Sequence, residues 1–291
     1  LPAIASLALD VLETSVLPCC VMSDSLPPTT YSTPPPAAPK NSPKALSMSM
    51  AARRHVIPFA VWMGLLFAVQ IFNLVKDPEN ENALNLVTLA GAYAWRTVLG
   101  AAALLIWRPW RHYEALRRRN LLPALALGAA IFVLWIGLET EFAKGLLPGV
   151  SRLYETWGVL PFGELRPEAA TPLPYAPSTC GWALTLTRLA GSAFVIAIIE
   201  EFFWRGYLYR WIQTLDFLDV DPGVLNLHSF LLVSAVFAAV HTEWLAALIT
   251  GLAYGYFYIR TRDLWATALA HVVTNLLLGV YILATGNYHF W

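Results

Sequence analysis

The chain has 291 residues, of which 57% are hydrophobic and only 13% charged, with acidic and basic side chains in balance. A soluble domain carries about 25% charged residues and a nucleic-acid binder needs a basic face, so both classes are excluded. Three cysteines, two of them adjacent (Cys19, Cys20), give neither a disulfide framework nor zinc-ligand spacing, and a mean hydropathy of +0.55 points to a lipid bilayer.

Residues 1–50 differ from all that follows. Pro27-Pro28 and Pro34-Pro35-Pro36 lie among Ser and Thr, a composition that builds no packed core and predicts a disordered tail. Asp10 and Glu13 interrupt the apolar stretch Ile4–Val21 and no basic residue precedes it, so it is not a clear signal peptide. Translation is expected to start at Met48 or Met50, with a genuine disordered tail as the alternative.

Apolar segments follow in series. A hydrocarbon core of ~30 Å needs about 20 helical residues, and Val56–Val75, Ala83–Trp107 and Leu121–Leu138 fit. The stretch Glu139–Thr179 is broken by Pro and Gly and predicts a loop. Cys180–Trp211 is long and apolar, Leu227–His241 and Trp244–Ile259 are short, and Leu264–Thr285 closes the chain. The expected fold is therefore all-α, a polytopic bundle of about 7–8 spans around a membrane-embedded polar cavity. Its expected regions are 1–50, a three-span part with its outer loop over 51–179, and a helix bundle over 180–291.

Loop charges set the orientation, because Lys/Arg-rich short loops stay cytoplasmic. Arg53 and Arg54, the basic run Arg108 to Arg119, and Arg260 with Arg262 fall inside, whereas Asp77, Glu79, Glu81 and the Glu139–Glu168 loop fall outside. The expected location is the inner (cytoplasmic) membrane. A 15-residue helix over Leu227–His241 reaches only ~22 Å, so the junction His241-Thr242-Glu243 is expected below the membrane surface, with His241 at the wall of a hydrated pocket.

Three polar groups punctuate the last third. Glu200 and Glu201 precede Arg205 in a run otherwise free of charge, and ionised groups at that depth cost at least ~2.5–3.5 kcal/mol each. Glu201 and Arg205 stand at i,i+4 and pair on one face, whereas Glu200 points roughly 100° away, free to face a pocket as a general base. His241 follows Phe237 by four residues, and His271 precedes Asn275 by four. Such donors can stabilise an oxyanion. Singly, each has a plainer reading as a packing or interhelical hydrogen-bonding device; together they point to one site.

Glu-Glu-x-x-x-Arg, Phe-x-x-x-His and His-x-x-x-Asn, in that order on successive spans, resemble the CPBP intramembrane proteases, which include the type II CAAX prenyl endopeptidases and bacterial relatives. The resemblance covers roughly residues 180–285. It implies a helix bundle whose cavity opens towards cytosol and bilayer, and an endopeptidase cutting a membrane-anchored peptide or protein. It also implies roles: Glu200 activates a water, His241 orients it, His271 and Asn275 stabilise the oxyanion, and Glu201 and Arg205 support them. No Ser or Cys lies in these motifs to act as nucleophile. No cofactor is expected; zinc is the lesser alternative, since there is no His-Glu-x-x-His helix. Two other functions remain open: a non-catalytic peptide- or lipid-binding or immunity protein using the same cavity, and a proton-coupled transporter. The latter lacks the internal repetition such proteins show.

Several other residues carry expectations. Trp204, Tyr207, Tyr209 and Trp211 read as an interfacial aromatic belt, or else the wall of an apolar channel. Gly251 and Gly255 read as a close helix contact. Arg96 and Arg188 fall within spans and either meet Glu139 or Glu243 or snorkel outwards.

Overall fold

The computed structural model describes residues 48–75, 86–163 and 174–291. The expected tail over 1–47, the acidic loop of Asp77, Glu79 and Glu81, and residues 164–173 of the outer loop lie outside the described residues.

All regular structure among the described residues is helical: α1 (Met50–Val75), α2 (Leu86–Trp107), α3 (Leu121–Gly137), two short outer helices α4 (Glu141–Leu146) and α5 (Pro148–Trp157), then α6 (Pro177–Trp211), α7 (Leu227–Ala239), α8 (Trp244–Thr261) and α9 (Leu264–Thr285). Five of these are long and apolar enough to cross a membrane: α1, α2, the α3 region, α6 and α9. The protein is a multi-pass membrane protein. Each of the seven apolar segments foreseen in the sequence corresponds to one helix; α7 falls short of a full crossing, at 13 residues or ~20 Å.

Helix ends are fixed by side chains that also tie the bundle together. Asn226 caps α7 by accepting from Ser229 N, and Asp263 caps α9 by accepting from Ala266 N, each at 3.0 Å. The second Asp263 oxygen accepts from Asn120 Nδ2 at 2.8 Å and Arg117 N at 2.9 Å, locking the start of α9 to the start of α3.

Higher up, α3 and α9 come into backbone contact. A Cβ on Gly128 would stand 2.5 Å from Ala270 O and 2.7 Å from Val273 Cβ, and Thr274 Oγ1 donates to Gly128 O at 2.8 Å. Gly128→Ala is therefore expected to destabilise the bundle by about 1–3 kcal/mol through overpacking. Gly91→Ala, where a Cβ meets nothing within 4 Å, is the matched control in a thermal-unfolding comparison. Gly251 and Gly255 bear out the packing reading: a Cβ there would press on Ser234 Cα at 3.2 Å and the Phe230 ring at 2.9 Å, on facing α7.

The aromatic strip is corrected by the structure. Trp204, Tyr207 and Tyr209 are buried, so they form neither a belt at the headgroups nor a channel wall. Trp204 packs edge-on against Phe59, Phe203 and Phe237, and Tyr207 stacks on Trp211 and meets Phe217 edge-on. The Tyr209 hydroxyl donates to Val224 O at 2.9 Å, bracing the α6–α7 connection. The strip is core because α1 and the α6–α7 connection close over it, and nothing in the spacing of α6 reveals those covers.

Candidate active site

Helix α6 is not a uniform α-helix. Gly191–Ile196 and Phe202–Leu208 are wound as π-helix, leaving Ala197–Glu201 as a single α-helical turn between them. Widened turns of this kind occur mostly at functional sites, because they re-aim side chains and free backbone groups from the ladder. Two carbonyls within the π segments are taken up by side chains from elsewhere. Ser192 O accepts from Asn275 Nδ2 at 2.8 Å, and Gly206 O accepts from the Tyr113 hydroxyl at 2.9 Å. The Glu pair thus sits on a short turn clamped on both sides.

On that turn the two carboxylates separate as helix geometry requires. Glu201 is fully buried, and its Oε1 accepts from Arg205 Nη1 and from His271 Nδ1, both at 2.9 Å. Arg205 is itself 2% exposed, donates through Nη2 to Gly251 O at 3.1 Å, and lies with its guanidinium 4.8 Å from the Phe237 ring centre. Glu200 instead faces a cavity of about 180 Å³, with Oε2 3.9 Å from His271 Nε2. That gap is too long for a direct hydrogen bond and leaves both groups available to a third partner.

The other predicted residues reach the same cavity from two more elements. His241 stands in the turn after α7, and His271 and Asn275 project from α9. His241 Nδ1 donates to Phe237 O at 2.7 Å; a carbonyl only accepts, so in the neutral ring Nε2 is the acceptor. Phe237 rests between the imidazoles, its ring centre 4.5 Å from His241 and 6.2 Å from His271. Trp135 meets His241 edge-on from α3.

The non-helical backbone at His241-Thr242-Glu243 is held by hydrogen bonds to and from the chain at the end of α5. Leu160 N donates to Thr242 O at 2.9 Å, Leu245 N donates to Gly158 O at 3.2 Å, and Trp244 Nε1 donates to Trp157 O at 2.7 Å. The segment following α5 therefore braces the turn that presents His241.

All four predicted catalytic positions, Glu200, His241, His271 and Asn275, line the one cavity, while Glu201 and Arg205 lie behind it. Sequence reasoning did not foresee other residues of the wall, Ser192 and Tyr254 among them. Ser192 offers the carbonyl that orients Asn275. Tyr254 stacks near His271 at 5.4 Å and shares a 2.6 Å hydrogen bond with Thr274. Arg188 also lines the cavity. Arg188 was expected to meet an acid or snorkel; instead it lies against the Tyr93, Tyr175 and Trp291 rings, and Arg96 lies against Trp62 and Tyr93. Glu139 is in contact with His289 Nε2 at 3.2 Å. Among the described residues, no group of three or more His, Cys, Asp or Glu side chains is placed to hold a metal ion.

Residues 182–277 match the model of the family described as type II CAAX prenyl endopeptidase Rce1-like. The match covers all three motifs and supports the likeness to the CPBP (CAAX protease) family on which they were read. No curated protein and no solved structure matches the chain.

Proposed function

We propose that this chain, with its Rce1-like stretch over residues 182–277, is an intramembrane endopeptidase that hydrolyses a peptide bond of a membrane-associated peptide or protein with water activated by Glu200. The observation that carries this reading is the meeting of Glu200, His241, His271 and Asn275, from three separate elements, on one polar cavity within an otherwise apolar bundle.

The chemistry follows from the bonds around each group. Glu200 takes a proton from water as its oxygen attacks the carbonyl carbon. His241 Nε2, fixed as an acceptor by the Phe237 carbonyl, accepts the water's other hydrogen and aligns a lone pair with the substrate. The tetrahedral oxyanion needs donors placed beforehand. Asn275 Nδ2 holds one hydrogen on Ser192 O and has a second to offer. His271 commits Nδ1 to Glu201, so it donates to the oxyanion through Nε2 only as an imidazolium. Collapse of the intermediate expels the amine, which recovers the proton held by Glu200. No covalent enzyme intermediate forms.

Two experiments test this. Purified chain in proteoliposomes, given a quenched membrane-anchored peptide in H₂¹⁸O, is expected to release a product with one ¹⁸O in its new carboxylate. Absence of any cleavage across a broad peptide panel would return the cavity to a binding or transport role. Dialysis against a chelator is expected to leave activity unchanged, since the roles above use only protein groups; loss that added zinc restores would sink the metal-free mechanism.

A further inference from the structure

On α6 the cavity wall repeats every four residues: Arg188, Ser192, Ile196 and Glu200 all face it, one stripe along the helix. Glu200 and Ser192 have roles in the proposed chemistry; Arg188 has none. Its guanidinium carbon lies 4.2 Å from the Tyr93 ring centre, 5.0 Å from Tyr175 and 5.7 Å from Trp291. Rings engage the flat faces of a guanidinium and leave its in-plane N–H groups to donate sideways. Its Nε is sealed from solvent and without a hydrogen-bond partner, and no carboxylate among the described residues pairs with it. A second cation, Arg96, sits 4.6 Å from the same Tyr93 ring. Two guanidiniums on one aromatic ring, with Arg188 in the wall of the cavity and in no ion pair among the described residues, form a receptor for an anion.

We propose that Arg188 is a binding residue for a carboxylate of the peptide substrate, a subsite that resting on the protease reading sets where the chain is cut. A planar guanidinium matches a carboxylate in a two-pronged hydrogen bond, the geometry that gives strength and direction together. The spacing follows from the helix. Twelve residues separate Arg188 from Glu200, roughly 15–18 Å along the axis. An extended peptide covers that length in about five residues. The carboxylate therefore lies about five residues from the scissile bond. It is either the terminal carboxylate of a short tail or an Asp or Glu side chain at that distance.

The test separates binding from cleavage. Full-length Glu200→Gln protein is titrated with a fluorescent apolar decapeptide in three forms: free C-terminal acid, C-terminal amide, and amide with one internal Glu. At least one carboxylate form is expected to bind about tenfold tighter than the plain amide, and which one does so identifies the source. Arg188→Gln added to that protein is expected to erase the difference, while Arg188→Lys keeps part of it. With Glu200 intact, the preferred peptide is expected to show its advantage in KM, with cuts at a constant distance from the carboxylate by mass spectrometry. Arg188→Gln is expected to remove that KM advantage. Equal binding of all three forms overturns the subsite without any variant, as does a preference that survives Arg188→Gln in protein that remains monodisperse. Tight Arg188-dependent binding with no cleavage by the intact protein would keep the subsite and sink the protease.

Discussion

Glu200→Gln is expected to lower kcat for peptide cleavage by about 10²–10⁴-fold, the range that a general base contributes, with insertion and thermal stability preserved. The two side chains are nearly the same shape, so packing is retained and only proton uptake is lost. Stability is not expected to suffer, because Glu200 makes no direct hydrogen bond to His271, whose Nε2 is 3.9 Å away, and a buried carboxylate is costly in itself. Sites held for chemistry at the expense of stability behave this way. His241→Ala removes the acceptor that aligns the water and is expected to cost about 10²-fold, again with the fold intact. The measurement is single-turnover cleavage in proteoliposomes beside thermal unfolding of the same preparations. Activity near wild type for Glu200→Gln, or a large drop in melting temperature with proportional loss of activity, would make Glu200 a packing residue.

How much of this the sequence disclosed depends on the range of the contact. The Glu201–Arg205 pair was legible because both partners stand on one helix at i,i+4, and the different directions of Glu200 and Glu201 follow from the angle between neighbouring residues. His241 was legible because two short helices imply a turn inside the membrane. Asn275 was found as a residue but not in its setting. Its partner is the Ser192 carbonyl, 83 positions away, available because α6 is wound as π-helix there. A π turn has no sequence signature in composition or period. Arg188 and Arg96 were visible as anomalies without a resolution, since their partners Tyr93, Tyr175 and Trp291 come from distant parts of the chain. The aromatic strip of α6 went astray for the same reason: Trp and Tyr at helical spacing look alike whether they meet headgroups or a covering helix.

The largest stability effect is expected at Arg205. Arg205→Met leaves Glu201, with no exposed surface, holding a single donor, His271 Nδ1, and one partner removed from a buried ion pair costs about 3–5 kcal/mol. The Gly251 carbonyl also loses its Nη2 donor, and the Phe237 and Tyr254 rings lose a stacked cation, so even Arg205→Lys, which keeps the charge, is expected to be destabilising. Glu201→Gln/Arg205→Met removes both charges and is expected to regain much of the lost stability, since paired charges at a buried site are replaceable by uncharged groups of similar volume. Activity is expected to part company with stability in the double variant. Without the carboxylate, His271 loses the charged acceptor that holds its ring, so kcat stays low in protein that unfolds near the wild-type temperature. Unfolding of the wild type, both singles and the double in detergent, with kcat for each, closes the cycle. Strictly additive destabilisation would show that Glu201 and Arg205 act independently, and a double variant with full activity would remove Glu201 from the positioning of His271.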